Sequence, residues 1–162
     1  LPMDIRMAAD GAKIGFVFAR RGIVPEAASS WFLPRLVGIS QAMEWAATGR
    51  VFDAEEAQRG GLVRSVHPQG ELLAAANELA REMADNTAPV SVALARRLMW
   101  RGLGADHPMR AHQADSRAMF ARGQSADAVE GVTSFLEKRT ATYPDKVSDG
   151  LPDLALEDPQ WS

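Results

Sequence analysis

An α+β fold is predicted for this 162-residue chain by three features of its sequence. Short apolar stretches suited to β-strands are confined to residues 1–66, and helical periodicity then runs with little break through residues 67–143. The two or three strands are too few for an independent sheet with a hydrophobic face, so they need partners beyond themselves. Residues 144–162 form an acidic tail with scattered prolines and no periodicity, expected to wrap a surface or to be disordered.

Each element has its own signals. Residues 5–9 and 13–18 read as two strands joined through Asp10-Gly11, a good turn dipeptide. In Arg20-Arg21-Gly22-Ile23-Val24-Pro25-Glu26 a loop meets a helix. Pro25 suits the first helical position, and Glu26 suits the positive end of the helix dipole. That helix is expected to reach Val37 or Gly38, kinked or shortened by Pro34. Ser40 can cap a helix that Gly49 ends. Asp53-Ala54-Glu55-Glu56 carries a capping-box-like acid, and Gly60-Gly61 stops that short helix. Residues 62–66 alternate enough for a strand, ended by Pro68. Leu72, Ala76, Leu79, Ala80 and Met83 fall at helical spacing, and the helix closes near Asn86. Pro89 and Pro108 start two more helices. Ser125 caps another, whose predicted inner face is Ala128, Val132, Phe135 and Leu136.

Composition narrows the function classes. No apolar run approaches the ~20 residues that span a bilayer, and no signal peptide opens the chain, so the reading is of a cytoplasmic protein without membrane partners. With no cysteine there is no disulfide framework, thiolate nucleophile or thiolate-bound metal. A net charge of −3 gives no electrostatic case for nucleic acid. The chain opens on Leu1-Pro2-Met3-Asp4-Ile5 with no initiator Met, and domains seldom begin inside an apolar segment. The start is therefore expected to cut through a larger fold.

Few residues carry an obvious chemistry. His67, His107 and His112 have no metal-ligand spacing, so no metal is expected and surface roles fit them. There is no nucleophile elbow, no G-x-G-x-x-G and no P-loop. Arg96, Arg97 and Arg101 form a basic patch on one helix that reads as a solvated face. Glu26 is the acid of interest. From the residues alone it is better explained as a carboxylate that stabilises a helix terminus.

A longer pattern adds to this. Residues 12–38, AKIGFVFARRGIVPEAASSWFLPRLVG, resemble the central part of crotonase-superfamily proteins, the enoyl-CoA hydratase/isomerase family. The resemblance continues through residues 48–57 and Gly61-Leu62-Val63, and resumes at residues 125–131 and 135–139. It covers most of the chain, in family order and with family-like spacing. It implies an α/β crotonase-like fold, here the C-terminal part of a ββα-repeat core followed by a helical trimerisation region. The partners it implies are an acyl-CoA substrate, an N-terminal half of the same protein, and further copies in a homotrimer or dimer of trimers. Coenzyme A would enter as the substrate's thioester, with no separate cofactor.

The resemblance also implies a chemistry. The family stabilises a thioester enolate with two backbone N–H donors, both expected upstream of Leu1. Hydratases of the family resemble one another in using two glutamates, and Phe18 stands here at the position of the second. Glu26 instead matches the P-E position resembling the carboxylate of peroxisomal-type enoyl-CoA isomerases, which implies a proton-shuttling acid/base. Phe18, Ile23 and Trp31 are expected to line its acyl pocket and partly desolvate it. Phe135 and Lys138 lie in the F-x-E-K-R-like segment, implying contact with the nucleotide end of CoA. The alternatives are a hydratase proper, with a second acid from the missing half, and a non-catalytic acyl-CoA-binding or scaffold subunit.

Overall fold

In the computed structural model, which describes residues 1–154, the two strands joined through Asp10-Gly11 pair with later strands and not with each other. β1 (Met7–Ala9) pairs in parallel with β4 (Ser65–His67), with Ala8 opposite Val66. β2 (Lys13–Gly15) pairs antiparallel with β3 (Val51–Asp53), with Ile14 opposite Phe52. A turn does form between β1 and β2, since Ala12 N–H donates to the Ala9 carbonyl at 3.0 Å. Neither Asp10 nor Gly11 takes the positive φ that a type I′ hairpin turn needs, so the two strands part instead of pairing. Their partners lie some forty to sixty residues away, roughly, beyond the reach of local patterning.

The chain divides into two compact units, Leu1–Leu79 and a second beginning at Ala80. The first contains both small sheets, α1 (Ser29–Val37), α2 (Ile39–Thr48) and α3 (Ala54–Arg59). Its core centres on Trp45, fully buried among Leu33, Ala42, Phe52, Ala57 and Leu62. Trp45 stacks on Phe52 with ring centroids 4.3 Å apart, and Phe16 lies 6.2 Å from it on the same stack. The Trp45 indole N–H donates to Glu56 at 2.8 Å, which satisfies the one polar atom the ring brings inside. Gly49 ends α2 and Asp53 caps α3 by accepting from Glu56 N–H at 2.8 Å, both as the sequence predicts. α2 starts at Ile39 behind Gly38, without a side-chain cap from Ser40.

Four helices follow: α4 (Leu72–Asn86), which carries the unit boundary, α5 (Pro89–Gly102), α6 (Pro108–Gly123) and α7 (Ala126–Glu137). Pro89 and Pro108 each occupy the first turn, where the missing N–H costs nothing. His107 is the cap of α6: its Nδ1 accepts from Met109 N–H at 3.1 Å. Val90, Leu94 and Ala118 form the core of the second unit. The expected inner face of α7 is corrected. Val132, Phe135 and Leu136 are exposed, and the buried residues are Asp127 and Ser134. An ion-paired network decides the orientation: Arg122 donates to Asp127 at 2.7 Å and to Asp145 at 2.9 Å. The periodicity marks the apolar stripe of α7 but not what it faces.

Residues 145–154 of the acidic tail are also more ordered than their composition suggests. Asp145 N–H donates to Asp127 at 3.0 Å, a short helix α8 (Val147–Gly150) packs on α5, and Leu154 is buried beside Val90 and Leu94. Residues 155–162 of that tail lie outside the described residues. Among the described residues no helix is long and apolar enough to cross a membrane.

Candidate functional site

The loop after β2 delivers the candidate acid. Phe18 opens a single 3₁₀ turn, Ala19–Arg21, and its carbonyl accepts from Arg21 N–H at 2.9 Å and Ile23 N–H at 3.2 Å. Arg20 ties this turn to the end of α2 by donating from Nε to the Thr48 carbonyl at 2.7 Å. Gly22, at φ 72°, reverses the chain, and Ile23, Val24, Pro25 and Glu26 then run out along the surface. Ile23 and Val24 are 59% and 78% exposed.

α1 begins at Ser29, not at Pro25, so Glu26 lies outside the first helical turn where the sequence reading puts it. Two left-handed alanines intervene, Ala27 and Ala28. The turn they form is closed by Ser29, whose N–H and Oγ both donate to the Glu26 carbonyl, at 2.9 and 2.6 Å. A helix cannot start until this turn is complete, which accounts for the later boundary.

The predicted lining residues are only partly gathered. Phe18 and Trp31 are half-buried, but Ile23 and Glu26 are exposed. Within this chain Glu26 and the apolar side chains nearest before it, Ile23 and Val24, are exposed. Trp31 is engaged elsewhere, edge-on to Phe32 at 4.8 Å and beneath the Arg35 guanidinium at 4.1 Å. Chemically, the loop presents an unenclosed carboxylate with apolar neighbours, able to accept a proton from a bound molecule.

Phe135 and Lys138 belong to the second unit. Phe135 is 81% exposed on α7. Lys138 caps the same helix in a left-handed conformation at φ 55°, its side chain exposed. Both side chains are exposed.

Other polar groups were not legible beforehand. Arg50 bridges Glu44, at 2.6 Å, and Glu56, whose Oε2 it meets at 2.7 Å. Arg50, and after it the Trp45 indole, hold the Glu56 carboxyl down to about 2. Glu130 is held to about 2 by Arg139 and then by Thr142 N–H. In the second unit a cavity of about 390 Å³ opens between Thr87, Ser91, Met119, Arg122, Asp127 and Tyr143. The only advance signal for its polar wall is Ser125-Ala126-Asp127, which reads as a helix start and conceals a buried acid. Among the described residues no cluster of His, Asp or Glu could hold a metal ion.

A family model described as enoyl-CoA hydratase/isomerase matches residues 1–146. The chain is 44% identical over 158 residues to the enoyl-CoA hydratase ACTT3 of Alternaria alternata, covering 97% of this chain and 53% of that protein. It is 33% identical over 146 residues to the 1,2-epoxyphenylacetyl-CoA isomerase of Escherichia coli, covering 88% and 54% of the two. Among solved structures, an enoyl-CoA hydratase from Bacillus anthracis superposes with a TM-score of 0.82 at 35% identity, covering 86% of this chain and 54% of that one. The chain thus spans about half the length of the curated relatives it matches.

Proposed function

The chain belongs to the enoyl-CoA hydratase/isomerase family and has its crotonase-like α+β fold, and on that premise we propose that the protein acts on acyl-CoA thioesters through a thioester enolate, with Glu26 moving the proton. The observation that carries this reading is how Glu26 is presented. Its carboxylate is exposed, its backbone is held by two hydrogen bonds from Ser29, and exposed Ile23 and Val24 precede it. Those apolar neighbours suit an acyl chain, while the carboxylate is free to meet the adjacent carbon.

The carboxylate takes a proton from the α-carbon, leaving an enolate and a neutral carboxylic acid. Returning that proton to the γ-carbon of the conjugated system shifts the double bond and regenerates the carboxylate. One acid completes this cycle with no net gain or loss of atoms. Adding water usually benefits from two. Phe18 carries no acid, which favours the one-carboxylate cycle. Hydration is the second reading, supported by the hydratase names of several relatives. The two readings separate on products, because a 3-enoyl-CoA converted to 2-enoyl-CoA has taken up no water, whereas a 3-hydroxyacyl-CoA has.

The same reading includes CoA as the substrate's carrier with no separate cofactor, a cytoplasmic location, and assembly as a homotrimer or dimer of trimers. Exposed Val129, Val132 and Leu136 on α7 support the assembly. Phe135 and Lys138 would meet the nucleotide of CoA. The decisive experiment is α-proton exchange from a saturated acyl-CoA into deuterated water, in the full natural reading frame. Glu26→Gln keeps the shape and removes the base, and the exchange rate should fall by about 100- to 10,000-fold. Exchange at the parental rate would return Glu26 to the role of a surface acid.

A further inference from the structure

Directly after Glu26, Ala27 and Ala28 adopt φ of 49° and 55°. No other two adjacent non-glycine residues among the described residues share a positive φ. A Cβ in the left-handed region crowds the neighbouring carbonyl, so such positions normally fall to glycine or asparagine. Two alanines in succession meet the requirement of a type I′ turn with the wrong residues for it.

The turn is held from both ends. On one side Ser29 grips the Glu26 carbonyl with its N–H at 2.9 Å and its Oγ at 2.6 Å. The N–H bond alone would close a four-residue turn, so the hydroxyl is an additional hook on the same oxygen. On the other side the Ala28 carbonyl accepts from Trp31 and Phe32 N–H, both at 3.0 Å, which fastens the turn to the first turn of α1. Persistent strain in a segment held this firmly is the pattern of a functional constraint.

We propose that the Ala27–Ala28 turn and the Ser29 hydroxyl are a positioning device that fixes the direction in which the Glu26 carboxylate leaves the backbone. This rests on Glu26 being the proton-transferring acid. Glycine would take the same φ without strain, but it would also populate the opposite hand and a broad range around each well. The left-handed well of alanine is small, so an alanine forced into it has little room to move. Strain is exchanged for a narrow distribution of backbone angles one residue away from the acid.

The test uses the full natural reading frame, the α-proton exchange assay at saturation, the apparent KM and the melting midpoint. In Ala27→Gly/Ala28→Gly the exchange rate at saturation should fall by about 10- to 100-fold, as misplacement of a reacting group does. KM should stay within about twofold, as for a loss realised only in the transition state, and the melting midpoint should hold or rise. Ser29→Ala should lose rate in the same way, and Ser29→Thr, which keeps the hydroxyl, should retain it. A rate loss accompanied by a lowered midpoint and a raised KM would mean ordinary loss of fold and would overturn the proposal. So would parental rates in the glycine and alanine variants while Glu26→Gln is inactive, which makes the turn merely structural. A Glu26→Gln variant as fast as the parent removes the acid itself, and the device with it.

Discussion

Gly60 lies flat against the outer edge of Trp45: a Cβ at position 60 would stand 2.5 Å from Cη2 of the indole and 2.6 Å from Cζ2. The indole cannot retreat, because it is fully buried, stacked on Phe52 and hydrogen-bonded to Glu56. Gly60 is therefore a packing requirement of the core, while the backbone requirement of this helix stop falls on Gly61, at φ 79°.

Gly60→Ala should accordingly destabilise the protein by about 1–3 kcal/mol, the usual cost of overpacking a filled core. Urea unfolding followed by tryptophan fluorescence measures it, and Trp45 reports the local change. A loss no larger than that of an alanine at solvent-exposed Gly70 would show that the ring shifts freely and that the contact is soft.

Stability should also fall on the acid side. The Glu56 and Glu130 carboxyls sit at about 2 when folded, against 4.5 ordinarily. Groups depressed in this way contribute stability that is fully present above about pH 4.5. That contribution is lost as the pH falls toward 2, because the unfolded chain binds protons there first. The melting midpoint should drop across this window, and Glu56→Gln together with Glu130→Gln should flatten the drop. Equal acid sensitivity in parent and double variant would assign the loss to other carboxyls.

How much of this was written in the sequence depends on the range of the interaction. α4 is legible because Leu72, Ala76 and Leu79 repeat at helical spacing, and α5 and α6 because prolines mark their starts. β3 is not legible because three residues carry no period, and it exists only through its register with β2. The turn at Asp10-Gly11 is legible but the partners of the strands it joins are not, since strand partners are chosen by distant packing. Glu26 stood out through family resemblance, not through its surroundings. Nothing in Ala27-Ala28 announces a left-handed turn, because alanine disfavours it, and only the Ser29 bonds and the folded core around α1 impose it.

The buried network of the second unit should be costly to break. Asp127 is only 3% exposed and accepts from both Arg122 and Asp145 N–H. Arg122 Nε is already buried without a partner among the described residues. Asp127→Ala would leave the guanidinium less compensated still, and about 3–5 kcal/mol should be lost. Because the same network anchors the chain around Asp145, proteolysis of the segment after Tyr143 should accelerate in step. Loss of stability with unchanged proteolysis would separate the tail from the network.

Lys138 permits two opposed predictions from one position. Its backbone is left-handed at the end of α7, a place that favours glycine. Its side chain is exposed, and its ammonium is the point charge a nucleotide phosphate would want. Lys138→Gly should therefore raise stability by about 1 kcal/mol, the order of the strain relieved. Lys138→Ala keeps a Cβ in the same backbone well and should bring no comparable gain. If the proposed contact with CoA is right, both variants should bind a CoA ester more weakly and show a flatter dependence of affinity on salt, because both lose the same charge. Titration of the CoA ester at low and moderate ionic strength reads this directly. Affinity and salt slope equal to the parent in both variants would leave the lysine as a helix cap, its stability effect intact and its role in binding withdrawn.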